Sequence, residues 1–199
     1  MTSADRRARQ QDALRQQILD AARTIFIRDG YEALTMRKVA QEIDYSATAI
    51  YLHFQDKAAL VDAICEETFT GLVARLERLQ KKHTDPFEYL KAGLRTYIEF
   101  GLAHPSHYTA TFILAPKNTG YNYEQSAGKN AFEFLRGTVA AGVAAGRVRT
   151  DDVDATAQAL WAGVHGLVAL LISKHEFPFV GRERLITQTI TLLVDGLEA

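Results

Sequence analysis

Apolar residues recur at helical spacing along nearly the whole chain, and no alternating stretch of useful length interrupts them, so the pattern predicts an all-α protein. Leu14, Ile18, Ala21, Ala22, Ile25 and Phe26 share one face of a first helix over about 10–28, which Gly30 ends. Met36, Val39, Ala40 and Ile43 fall at i, i+3, i+4 and i+7, giving a short second helix capped by Thr35. Asp44-Tyr45 makes a turn, because Asp tolerates left-handed backbone. Ser46 caps a third helix over 47–54, with Ile50 and Phe54 inward. Asp56 then opens a long helix to about residue 80, with Leu60, Ile64, Phe69, Leu72 and Leu76 on its inner side.

The polar cluster 80–84 is the first clear break. Asp85-Pro86-x-Glu88 restarts a helix with a cap residue, Pro at the first helical position and a following acid. Pro105 starts another, and 115–123 is the most loop-like segment. A helix is expected over about 124–145, a turn at Gly146, a helix from Thr150-Asp151-Asp152 to about 174, and a last one over about 182–197. These elements divide into a head, 1–57, and a larger helical domain, 58–199, with neither internal repeat nor low-complexity tract.

Composition narrows the class. Hydrophobic residues make up 47% and charged ones 24%, which fits a folded globular chain. The single cysteine, Cys65, excludes an internal disulfide framework and suits a reducing compartment; no basic neighbour in sequence marks it as a redox switch. Residues 1–17 are polar, without the apolar core of a signal peptide, so a cytoplasmic location is expected. The longest apolar run, 159–172, is short for a membrane span and reads as a buried helix, so no membrane partner is expected. Net charge is −1, and 1–57 holds nine basic and eight acidic residues, so charge alone does not decide for or against nucleic acid.

The motif decides it. Two short helices around a tight turn form a helix-turn-helix, whose second helix enters the DNA major groove. Ala47, Thr48 and Ala49 give that helix a small outer face; Thr48 can bond a base edge and the alanine methyls can meet thymine methyls. Arg37 has the fork geometry to read guanine. Thr35, Tyr51, His53 and Lys57 would hold phosphates, setting register and affinity without reading sequence. The run Gly30…Thr35…Val39-Ala40…Ser46…Tyr51-x-His53-Phe54-x-x-Lys57-x-x-Leu60 resembles the N-terminal domain of the TetR family of bacterial transcriptional regulators. The chain departs from that family's usual pattern in having Asp44 where glycine is common and Tyr45 where a small aliphatic residue is common. Tyr45, like Ser46 at the helix cap, joins the expected DNA-binding set.

In the second half, Ala103-His104-Pro105-x-x-Tyr108-x-x-x-Phe112 together with Trp161-x-x-x-His165-Gly166 resembles the C-terminal domain of a TetR subgroup named for its Trp-His-Gly residues. The resemblance implies a small-molecule sensor of unnamed ligand. The residues themselves give aromatic density: Phe69, Tyr97, Phe100, Tyr108, Phe112, Phe132, Phe134 and Trp161, with His104 and His165 as polar points. The expected effector set is Phe69, Tyr97, Phe100, His104, Tyr108, Phe112, Trp161 and His165, lining a mostly apolar chamber. Each aromatic alone reads more readily as plain core, and only the set as a whole favours a cavity; His165 reads as a ligand group or as a core histidine satisfied by a neighbour. Metal ligation is not expected, because no acid or thiol stands at ligand spacing from His104 and His107, and no cofactor is implied.

The helix with Leu160, Val164, Leu167 and Leu171 is apolar nearly all round, so one face needs a cover beyond its own core. Gly163 and Gly166 permit close approach, and Leu185, Ile186, Ile190, Leu193 and Leu197 add a second stripe. A homodimer interface through Leu160, Gly163, Leu167, Leu171, Ile186, Ile190 and Leu193 is therefore expected, matching two heads to a palindromic site. The combined expectation is a homodimeric, ligand-responsive regulator of double-stranded DNA, most simply a repressor. A DNA-binding protein without small-molecule input is the alternative. An enzyme is not expected, since no nucleophile–base pair, metal set or phosphate loop appears.

Overall fold

In a computed structural model the described residues are 3–80, 83–114 and 122–199. Among them nine α-helices account for almost all the regular structure, with short 3₁₀ and π turns and a single isolated bridge between Val148 and Glu198. The helices are α1 (Ser3–Asp29), α2 (Met36–Glu42), α3 (Ala47–Tyr51), α4 (Lys57–Gln80), α5 (Pro86–Ala103), α6 (Pro105–Tyr108), α7 (Ala127–Ala144), α8 (Val153–Ser173) and α9 (Arg182–Val194). The all-α expectation holds. The polar break falls partly on 81–82 and the expected loop mostly on 115–121, outside the described residues.

The boundaries differ where local capping outweighs periodicity. α3 stops at Tyr51 instead of 54, and Leu52, His53 and Phe54 donate their N–H groups to Thr48 and Ile50 in a tightened turn. Tyr123–Gln125 is a 3₁₀ turn, and α7 begins only after Ser126, whose hydroxyl accepts from the Lys129 N–H at 3.1 Å. Asp152, not Thr150, caps α8 by accepting from the Ala155 N–H at 2.9 Å.

The chain forms two compact units. The first takes 1–68 with 106–122, so this division falls inside α4. Its core is Ile18, Ala22, Ile25, Phe26, Leu34, Val39, Ile50, Leu60 and Ile64, all buried, and Ala110, on the π turn after α6, packs into the same cluster. That contribution places 106–114 with the first unit. Burial pushes the Cys65 thiol up to about 11, so it stays protonated and unreactive.

The second unit takes 69–105 with 123–199. α5 is its central helix, packing on α7, α8 and α9 through Phe87, Leu90, Leu94 and Ile98. Five of the side chains expected at a dimer interface are consumed here. Leu160, Leu167, Ile186 and Ile190 are buried within the chain, and Leu193 packs on Gly163, where an added Cβ would lie 2.7 Å from its Cδ2. Leu171 is half-buried. The α8–α9 seam is thus an internal contact: its glycine admits the neighbouring helix of the same chain. The solvent side of α8 carries Ala155, Ala159, Ala162, Gly166, Ala169 and Leu170 instead.

A second close approach fixes the end of α7. A Cβ on Gly142 would sit 2.5 Å from Val148 Cγ2, and Val148 is held in its bridge to Glu198. Gly142→Ala should therefore destabilise the protein by about 1–3 kcal/mol through overpacking. Gly137→Ala on the same helix meets nothing within 4 Å and should be neutral or gain up to about 1 kcal/mol of helix propensity. Urea unfolding of the pair checks this, and equal midpoints would contradict it.

Candidate functional site

The helix-turn-helix is built by three local devices. The Thr35 hydroxyl accepts from the Lys38 N–H at 3.2 Å and the Ser46 hydroxyl from the Ala49 N–H at 3.2 Å, so both short helices begin on satisfied caps. Between them Asp44 takes φ 57, the left-handed conformation expected of it, and the Tyr45 N–H closes the turn on Ala40 O at 2.9 Å. Thr48, Tyr51 and Leu52, at i, i+3 and i+4, form the outward face of α3 opposite the buried Ile50. Arg37 and Tyr45 are exposed; Ala47, Ala49 and His53 are half-buried.

Two residues stand differently from the expectation. Lys57 Nζ lies 4.1 Å from the centre of the Tyr31 ring and 3.4 Å from Tyr31 O, so it braces the α1–α2 connection as well as reaching the surface. Leu52, absent from the expected set, is 82% exposed beside Tyr51. Its place two residues from both Ile50 and Phe54, on the far side of a helical turn, is the signal that points outward. Nearby, Arg28 and Lys38 both pair with Asp29, which holds that carboxyl down to about 2 and keeps the end of α1 tied to α2.

The second unit holds a cavity of about 240 Å³ between α4, α5, α7 and α8. Phe69, Tyr97 and Trp161 of the expected effector set line it, with Phe132 and Phe134 from the same aromatic count. His165 stands behind the wall: Tyr97 Oη is 3.3 Å from His165 Nδ1 and accepts from Trp161 Nε1 at 3.2 Å. Phe100 is not itself in the lining but packs with the lining residues Leu72 and Leu76, and its ring centre lies 5.1 Å from the Arg75 guanidinium, whose Nη2 is 2.9 Å from His104 Nε2. Tyr108 and Phe112 belong to the first unit, their ring centroids 4.7 Å apart. None of these four is among the residues lining the cavity; for Tyr108 and Phe112 the reason is that α5 ends at Ala103 and the chain from 106 packs with the first unit.

What sequence reasoning missed is the small side of the wall. Gly128, Ala131, Leu135 and Thr138 share one face of α7, opposite Gly93 and Tyr89 on α5. The aromatic residues supply surface, but the small residues leave the space. Tyr89 Oη donates to Leu76 O at 3.2 Å, and burial pushes its pKa up to about 12.

Residues 18–64 match the model of "Bacterial regulatory proteins, tetR family", and residues 90–193 match that of "Tetracyclin repressor-like, C-terminal domain", which alone spans half the chain. The chain belongs to the TetR family. A transcriptional repressor of Mycobacterium tuberculosis is 42% identical over 66 residues, 33% of this chain and 35% of its own length. The chain spans about a third to three fifths of the length of the first curated relatives it matches. Among solved structures, a Rhodococcus protein of unknown function is 26% identical with a TM-score of 0.77, covering 94% of this chain and 96% of that one. A FadR regulator from Bacillus subtilis, solved with stearoyl-CoA, shares the fold at 19% identity and a TM-score of 0.78, covering 91% and 98%. The named relatives of this TetR chain are regulators, not enzymes.

Burial lowers the pKa of His165 below its ordinary 6.5, so the neutral ring is the folded form. The unfolded chain then takes up the proton first as pH falls. Stability from this group is present above about 6.5 and is lost below it. Unfolding midpoints of wild type and His165→Gln should therefore diverge in pH dependence between about pH 7.5 and 5.5, wild type losing more. Parallel curves would contradict a buried neutral His165.

Proposed function

We propose that this TetR-family chain is a cytoplasmic, homodimeric repressor that binds a palindromic double-stranded DNA operator and leaves it when a small, mostly apolar effector occupies the second unit. The carrying observation is the α2–α3 pair, whose caps and left-handed turn hold Thr48, Tyr51 and Leu52 outward above a buried core. In this reading α3 enters the major groove, Thr48 and Arg37 read base edges, and the small surface of Ala47 and Ala49 allows close approach. Thr35, Tyr45, Ser46, Tyr51, His53 and Lys57 grip the backbone. The cavity favours ligand control over a ligand-independent regulator, and stearoyl-CoA in the B. subtilis neighbour supports a ligand-holding role for this fold. The effector must bind the DNA-released form more tightly than the bound form, since equal affinity would shift nothing. Residues 103–112, Trp161, His165 and Gly166 support placement in the Trp-His-Gly subgroup.

Selection from a random duplex library tests the head. Arg37→Ala should relax preference at guanine positions, losing about 1–3 kcal/mol of discrimination. Tyr51→Phe should weaken binding to all sequences alike. A change of preferred site in Tyr51→Phe would overturn this division of roles.

The second copy belongs on the solvent side of α8. This helix is long and apolar enough by composition to cross a membrane, yet only 28% of its most apolar stretch is buried inside the chain. Its outer side is a stripe of small residues with Leu170, and Leu192 of α9 is also exposed. A Cβ on Gly166 meets nothing within 4 Å, so Gly166→Arg spares the protomer and places a charge in the proposed seam. Sedimentation should give a wild-type dimer and a folded Gly166→Arg monomer. A monomeric wild type at micromolar concentration would remove the dimer.

A further inference from the structure

We propose that the chamber takes a neutral, compact, largely apolar molecule of about ten non-hydrogen atoms, and rejects organic anions and long acyl chains alike. This rests on the effector-chamber reading above and narrows it.

Size is the first ground. An apolar cavity of about 150 Å³ holds benzene. At the same volume per atom, 240 Å³ holds about ten non-hydrogen atoms. A stearoyl chain alone exceeds that, before coenzyme A is counted. The neighbour solved with stearoyl-CoA therefore shares the fold with this chain but not its ligand.

Charge is the second. Among the described residues, no Asp, Glu, Lys or Arg lines the cavity. Most polar side chains of the wall are bonded within it: Tyr89 Oη donates to Leu76 O, and Thr138 Oγ1 to Phe134 O at 2.8 Å, while Tyr123 is half exposed. Tyr97 Oη lies between Trp161 and His165. His165, held neutral by burial, offers no cation, and Lys129, near Tyr123, is paired with Glu124. A carboxylate or phosphate entering this space would lose its hydration and find no compensating cation among the described lining residues.

Shape is the third. Phe132 meets Trp161 edge to face at 62°, and Tyr89 meets Phe134 at 63°, so the walls present flat faces and ring edges together. A planar one- or two-ring molecule meets both.

Calorimetric titration of the full chain with 2-naphthol, 2-naphthoate and stearoyl-CoA tests the proposal, because the first two differ chiefly in charge. 2-Naphthol should bind. 2-Naphthoate should bind at least about 100-fold more weakly, and stearoyl-CoA should not displace 2-naphthol. Ala131→Phe, which fills the chamber, should abolish 2-naphthol binding, with Leu135→Trp replacing it if that variant does not fold. If 2-naphthoate or stearoyl-CoA binds as tightly as 2-naphthol and the filled variant loses that binding, the chamber stands and the neutral, compact class is overturned. If 2-naphthol binding survives both folded variants, or none of the three binds wild type, the effector chamber falls and this inference with it.

Discussion

The left-handed turn at Asp44 is the constraint on which the head depends. A helix of five residues, the length of α3, has no stability of its own in water. α3 persists because Asp44 reverses the chain at once after α2, Ser46 caps the next N–H groups, and Val39 and Ile50 are both fully buried. With those apolar residues pinned, Thr48, Tyr51 and Leu52 have no place but the surface. The face proposed to read DNA is the face left over once the inward residues are packed.

The second unit works by the opposite rule. Protein cores fill space to near-crystalline density, and a void costs stability. Gly93, Gly128 and Ala131 nevertheless stand opposite a set of large rings, leaving space where larger side chains would have closed it. The Tyr89 and Thr138 hydroxyls are satisfied within the wall, so the cavity has few groups to hold water. This open cavity is the physical ground of the proposed ligand role. α4 supplies Leu60 and Ile64 to the first unit and Leu72 and Leu76 to the second, so a single helix carries residues of both.

Much of this was legible in the sequence. The helical periodicity of Leu14 to Phe26 and the caps Thr35, Ser46, Asp56 and Asp85 are local signals, and local signals survive without knowledge of the fold. The turn at Asp44 was legible for the same reason, since the residue's own backbone preference decides it. Tertiary assignment was not. Tyr108 and Phe112 look like chamber residues by type and spacing, but which core receives them depends on where the chain goes after Pro105. Leu160, Leu167, Ile186 and Ile190 look like a dimer seam because a stripe of leucines does not say whether its cover comes from the same chain or another. The small residues of α7 and α8 were the more informative feature, marking a void on one helix and an uncovered face on the other.

Amide hydrogen exchange of the full chain, alone and saturated with its selected duplex, tests the proposed DNA-reading head most directly. Slowed exchange is expected over 45–53 and at the start of α2, with α7 unchanged. Protection confined to the second unit, with 45–53 exchanging as in the free protein, would contradict the assignment of α2 and α3 as the DNA-reading pair.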